Sequence, residues 1–122
     1  VVRNADRKTI RELAVEIVDL ADRARNKKIK PDEMDGGTFT ISNLGGIGGT
    51  QFTPVVFWPQ AAILGVSRAS AEPVYIDGEL RPRQMLPLAL SYDHRIADGA
   101  DAARFVRWIR ESIEHPLTMH FD

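Results

Sequence analysis

Cysteine is missing from all 122 residues, so neither a disulfide framework nor a thiolate metal site is available. Long apolar runs are missing as well. None approaches the roughly 20 residues that cross a bilayer, and no secretory hydrophobic region opens the chain. Charge of one sign is also lacking. Sixteen Lys and Arg against seventeen Asp and Glu leave a formal net charge of −1, which argues against nucleic acid or an anionic membrane as the main partner. Val1-Val2-Arg3 carries no initiator methionine and reads as the inside of a strand, so part of a longer polypeptide is expected. There is no internal repeat, low-complexity tract or linker. What remains is an ordinary soluble chain able to bury one core, expected as a single unit over 1–122.

Two amphipathic helices and several short strands are legible. Thr9 and Glu12 stand at capping-box spacing. Ile10, Leu13, Ala14, Ile17, Leu20, Ala21 and Ala24 then share one helical face. Asn26-Lys27-Lys28 and Lys30-Pro31 end that helix, with cations suited to its C-terminus. Gly36-Gly37 opens a strand expected over 38–42. The glycine-rich Leu44 to Gly49 fails as a dinucleotide loop, because position 51 is Gln51 and no amphipathic helix follows. Its glycines fit tight turns and close backbone approach. Ala61 to Val66 reads as a buried strand, as does Met85 to Leu90. Asp77-Gly78 marks a hairpin turn, with Pro82 and Pro87 expected to interrupt the returning strand. A last helix, capped by Asp101 and running to about Glu114, should bury Ala102, Phe105, Val106, Ile109 and Ile113. Pro116 stops it, and Leu117 to Asp122 form a tail.

The chemistry concentrates in Ser91-Tyr92-Asp93-His94-Arg95-Ile96-Ala97-Asp98-Gly99, where an apolar strand breaks into a turn before the last helix. His94 and Asp98 are two titratable groups four apart, at the kind of strand end where α/β enzymes hold catalytic groups. Three uses are open. As metal ligands they are too few, since a working site needs three or four. A hydrolase pair with Ser42 lacks the Gly-x-Ser-x-Gly elbow. The third use is His94 as general base on an external nucleophile, with a hydroxyl stabilising the oxyanion. A structural histidine and a capping aspartate are the plain alternatives.

Asp93-His94-Arg95-Ile96-Ala97-Asp98-Gly99 resembles the His-x-x-x-Asp-Gly signature of the dihydrolipoyl acyltransferases, the core enzymes of 2-oxo acid dehydrogenase complexes. Gly36 to Gly45 is similar to that family's Gly-Gly-Thr-Phe-Thr-Ile-Ser strand. Ala62 to Val66 and Pro82 to Leu88 match in order and spacing. The resemblance spans nearly the whole chain and covers the C-terminal half of the family's catalytic domain. The lipoyl and subunit-binding domains and the first catalytic half are not in it.

The resemblance implies an α/β fold, a two-layer sandwich of mixed sheet and helices like that of chloramphenicol acetyltransferase. It implies transfer of an acyl group between a dihydrolipoyl arm, attached to a domain outside this chain, and coenzyme A. His94 would be the general base, Asp98 the signature carboxylate and Ser42 the oxyanion-stabilising hydroxyl donated across a trimer interface. Asn43, Leu44 and Gly45 would line the substrate channel. No metal is implied. Partners would be two further copies in a homotrimer, a cubic or dodecahedral core, and the decarboxylase and dihydrolipoyl dehydrogenase components. The location would be the cytoplasm in a bacterium or the mitochondrial matrix in a eukaryote. The loop 43–50 and Ser67-Arg68-Ala69-Ser70 look more like the pyruvate-complex members, which favours acetyl.

Two stretches depart from the family's pattern. Phe57 stands where an asparagine is usual, and His120-Phe121-Asp122 replaces an apolar terminus, which puts the larger assembly in doubt. The rival readings are a non-catalytic core subunit and a chloramphenicol-type O-acetyltransferase. The latter carries a second histidine where this chain has Asp93.

Overall fold

The computed structural model describes residues 1–117. The expected tail therefore lies outside the described residues beyond Leu117. Contacts divide the chain into two units, Val1–Thr38 and Phe39–Asp122.

The first unit is built on helix α1, Ile10–Arg25. Its N-terminus is the expected capping box. The Glu12 N–H donates to Thr9 Oγ1 (3.3 Å) and the Thr9 N–H donates to Glu12 Oε2 (2.8 Å), satisfying two backbone donors that a helix start leaves free. Near the other end, Arg23 holds Asp19 (2.8 Å) and Glu33 (2.6 Å), tying a short 3-10 turn at Pro31–Glu33 to the helix. Val1 to Arg3 are not in a strand. The terminal amino group donates to the Glu33 carbonyl (2.6 Å), and Arg3 donates to that of Asp32 (3.0 Å). Of the expected apolar stripe only Leu13, Leu20 and Ala21 are half-buried, and Ile10 and Ile17 are open to solvent.

The second unit is α/β. Three strands, β1 (Thr40–Asn43), β2 (Ala62–Val66) and β5 (Leu88–Tyr92), form a mixed sheet in the order β1-β2-β5. β1 runs parallel to β2, and β5 runs antiparallel to it. β1 starts two residues later than its sequence implies, and the Phe39 ring just before it meets that of Phe105 edge-on (ring centroids 5.8 Å apart). Among the described residues the buried large apolar side chains are Ile63 and Leu64. As consecutive strand residues they point to opposite faces, so both faces of the central strand are covered.

β3 (Ser70–Ile76) and β4 (Glu79–Met85) make a separate hairpin. Its turn has positive φ at both Asp77 (53°) and Gly78 (82°), as a two-residue primed turn requires. Pro82 does not interrupt it. Pro82 sits opposite Pro73 in an unbroken register from Ser70/Met85 to Ile76/Glu79, tolerated because both strands of a two-stranded sheet are edges. Pro87 instead separates β4 from β5, so Met85 and Leu86 are exposed rather than inside a buried strand.

Helix α2, Gly99–Glu114, follows the signature. Its cap is Asp98, not Asp101. Asp98 Oδ1 accepts from the Asp101 N–H (2.9 Å), which makes Asp101 a residue of the first turn. The stripe is half-covered at Ala102, Val106 and Ile109, while Ile113 stays 57% exposed.

Candidate active site

His94 occupies the apex of a tight turn between β5 and α2, and Asp93 organises that turn. Its N–H donates to the Ala61 carbonyl (2.8 Å), fixing the turn to the residue before β2. Its own carbonyl accepts from Ile96 (2.9 Å) and Ala97 (3.2 Å). Its carboxylate accepts the Arg95 backbone N–H (3.0 Å) and is gripped by the Arg95 side chain, with Nε 2.9 Å from Oδ1 and Nη2 2.6 Å from Oδ2. That guanidinium, followed by the Arg95 backbone N–H, pulls the Asp93 carboxyl down to about 2. The same pairing raises Arg95 above the usual guanidinium value. His94 itself is exposed. Its ring lies 5.6 Å from that of Tyr92 at 39°, and the Tyr92 hydroxyl reaches the first residue of α2 (3.6 Å from a β-carbon placed on Gly99).

Ser42 is at the other end of the sheet. It lies in β1, half-buried, level with Gly65 of β2 and through it with Ala89 of β5. The aromatic ring of Phe52 covers this row, 2.9 Å from a β-carbon placed on Gly65. Beyond Ser42, the Asn43 side chain accepts the Gly45 N–H (2.9 Å) and Leu44 N–H donates to the Val66 carbonyl (3.0 Å). Gly45 leaves little room for a side chain, since a β-carbon there would stand 3.0 Å from the Ser67 carbonyl oxygen. Asn43, Leu44 and Gly45 are thus a tightly folded turn beside Ser42.

His94 at its apex and Asp98 at its exit belong to the one turn that leads into α2, and Ser42 is not brought to them. Tyr92, the last residue of β5, is level with Ala62, whereas Ser42 is level with Ala89. Three residues of strand, about 10 Å, and two strand spacings, also about 10 Å, lie between them. A hydrogen bond spans about 3 Å. One chain cannot apply both side chains to one reacting atom.

The Asp93–Arg95 pair and the Tyr92 ring contact were not singled out as site features from the sequence. The visible signal for the first was an acid and a base at i and i+2 flanking the histidine. For the second nothing in the one-dimensional pattern separates a ring beside His94 from an ordinary strand-end aromatic.

The sequence and fold of this chain are similar to those of known proteins. Residues 1–121 match the 2-oxoacid dehydrogenases acyltransferase (catalytic domain) family. The dihydrolipoyllysine-residue acetyltransferase component of the Pseudomonas aeruginosa pyruvate dehydrogenase complex is 57% identical over 119 residues, covering 98% of this chain and 22% of the relative. The chain therefore spans about a fifth of the length of that curated relative. Among solved structures, Azotobacter vinelandii dihydrolipoamide acetyltransferase, studied for the roles of one serine, one histidine and one asparagine in its catalytic mechanism, superposes with a TM-score of 0.93. The two are 51% identical over 98% of this chain and 49% of that one. The cubic core of a pyruvate dehydrogenase multienzyme complex also has a TM-score of 0.93, at 50% identity and the same coverage. With the signature turn, the mixed sheet and nearly every residue accounted for by one family, the chain belongs to the 2-oxoacid dehydrogenase acyltransferases, within their catalytic domain.

Proposed function

We propose that this chain supplies both halves of an acyltransferase site, each completed by a neighbouring copy, and that the reaction moves an acetyl group between coenzyme A and a dihydrolipoyl arm. The observation that carries the assignment is a spacing. In the Azotobacter protein the histidine stands 52 positions after the serine and the asparagine four after the histidine. Ser42, His94 and Asp98 stand at the same two intervals here.

The chemistry fits the residues. A thiol with a pKa of about 8.5 is mostly protonated at neutral pH. His94, exposed at its apex, takes the S–H proton as the sulfur attacks the thioester carbonyl carbon. The carbonyl oxygen becomes an oxyanion, and the Ser42 hydroxyl of the adjacent copy donates to it. The carbon–sulfur bond to the departing thiolate then breaks, and the imidazolium returns the proton to that sulfur. Asp98 holds the start of α2, a capping task that aspartate and asparagine perform equally well. Asn43, Leu44 and Gly45, folded beside Ser42, would form the channel wall on that side. Both thiols are substrates, and the lipoyl arm comes from a domain outside this chain. A homotrimer pairs every Ser42 with a neighbour's His94 around a threefold axis, and the cubic core of the solved relative makes larger assembly the natural extension.

The test is acetyl transfer from acetyl-CoA to dihydrolipoamide by the full-length protein, with succinyl-CoA and isobutyryl-CoA as competitors. His94→Ala should abolish transfer with the oligomer intact. Ser42→Ala should lower kcat on the order of 100-fold to 1,000-fold. Near-normal turnover in His94→Ala would remove the base assignment. No transfer with any donor from a correctly assembled protein would make this a structural core subunit.

A further inference from the structure

We infer that the Asp93–Arg95 pair is the positioning device of the catalytic turn: by folding its guanidinium back onto the carboxylate one residue before His94, Arg95 locks the apex from which the imidazole reaches the thiol. The inference rests on the general-base reading of His94 given above.

Its ground is the distribution of hydrogen bonds. The backbone N–H groups of Arg95, Ile96 and Ala97 all end on Asp93, the first on its carboxylate and the other two on its carbonyl. Asp93 is in turn anchored to the Ala61 carbonyl (2.8 Å). The Asp93 side chain, 21% exposed, therefore bonds the backbone that follows His94, and its rotamer sets that backbone. Arg95 restrains the rotamer through two nitrogens, Nε and Nη2, on both oxygens, a planar fork that defines orientation as well as distance. The Arg95 side chain is 84% exposed. An ion pair so open to water adds little to folding stability, so holding the fork serves the turn more than the fold. A catalytic base displaced by an ångström loses rate on the order of 100-fold.

The experiment uses the full-length assembled protein, with four variants: His94→Ala, Arg95→Ala, Arg95→Lys and Asp93→Asn. Acetyl transfer gives kcat and KM separately, thermal melting gives stability, and hydrogen–deuterium exchange of the peptide containing residues 93–97 reports the turn without reference to catalysis. Arg95→Ala should lower kcat about tenfold to a hundredfold, leave KM and the melting temperature near the parent, and speed exchange at 95–97. Arg95→Lys should recover little, because a single ammonium cannot form the two-nitrogen fork. Unchanged kcat in Arg95→Ala, with transfer by the parent and none by His94→Ala, overturns the inference, as does full rescue by lysine. A parent without activity would refute the acyltransferase reading instead, and exchange alone would then decide: faster at 95–97 in Arg95→Ala supports the lock, unchanged overturns it. Should Arg95→Ala fail to assemble, Asp93→Asn, which keeps size and one acceptor oxygen, is judged by the same measurements.

Discussion

At the scale of single residues, two positions turn geometry into numbers. Asp93 titrates at about 2 in the folded chain because Arg95 donates to its carboxylate, against about 3.9 for an unfolded aspartate. The folded state thus binds fewer protons between these values. The small stability this solvent-exposed pair contributes is complete above about pH 4 and is lost as the pH falls through about 2. The gap in unfolding midpoint between the parent and Asp93→Asn should therefore be constant above pH 4 and close towards pH 2. A residual acid limb should persist in the variant, because Glu12 and Glu33 are also lowered, chiefly by the backbone N–H groups of Thr9 and Lys30. Gly65 is the second position. A β-carbon there would meet the Phe52 ring at 2.9 Å, so Gly65→Ala should cost about 1–3 kcal/mol by overpacking. Denaturant unfolding checks this, and Phe52→Leu in the same chain should restore part of the loss. Neither consequence was legible beforehand. Gly65 looked like one more residue in an apolar strand, because the ring that fills its space arrives from thirteen positions upstream.

Elements were legible where the signal is local, and obscure where it depends on what lies opposite. Thr9 with Glu12, and Asp77 with Gly78, specify a cap and a turn from their own side chains and φ angles, and the structure contains both. The start of α2 shows the limit. Asp98 and Asp101 are both plausible caps, and only the backbone reveals that Asp98, extended at φ −101° and ψ 175°, is the one outside the helix. Asp98→Ala should cost about 1 kcal/mol, and Asp98→Asn only a few tenths, since asparagine accepts the same N–H. Equal losses in the two variants, read by thermal melting, would show that the charge and not the cap matters. The hairpin misled in another way. Prolines argue against a strand only where a neighbour needs their N–H, and in a free two-stranded ribbon Pro73 and Pro82 face each other without cost to the register. The family signature was fully legible. The separation of Ser42 from His94 within one chain was not, since it follows from β1 and β5 running in opposite directions on either side of β2.

For the molecule as a whole, many large apolar side chains stay open to solvent. Ile47, Val55, Trp58 and Leu117 are each more than three-quarters exposed. The helical and strand patterns that announce burial in this sequence are thus written for surfaces the chain alone does not provide, which is why they named more core residues than the structure buries. Exposed apolar side chains in this number mark surfaces that another chain covers. Sedimentation of the 122-residue chain should show concentration-dependent association, and assembly should shift the fluorescence of Trp58, 83% exposed, and Trp108, 61% exposed, to shorter wavelength. A single monomeric species at all concentrations would contradict this. The opposite placement of Ser42 and His94 has a genetic consequence. On the proposed reading each copy is a donor at one end and a recipient at the other, so two dead alleles can complement. Mixed rings assembled from equal amounts of Ser42→Ala and His94→Ala chains should recover about a quarter of parental activity, the chance that a sound serine meets a sound histidine at a head-to-tail junction. Either allele alone should stay about 100-fold or more below the parent.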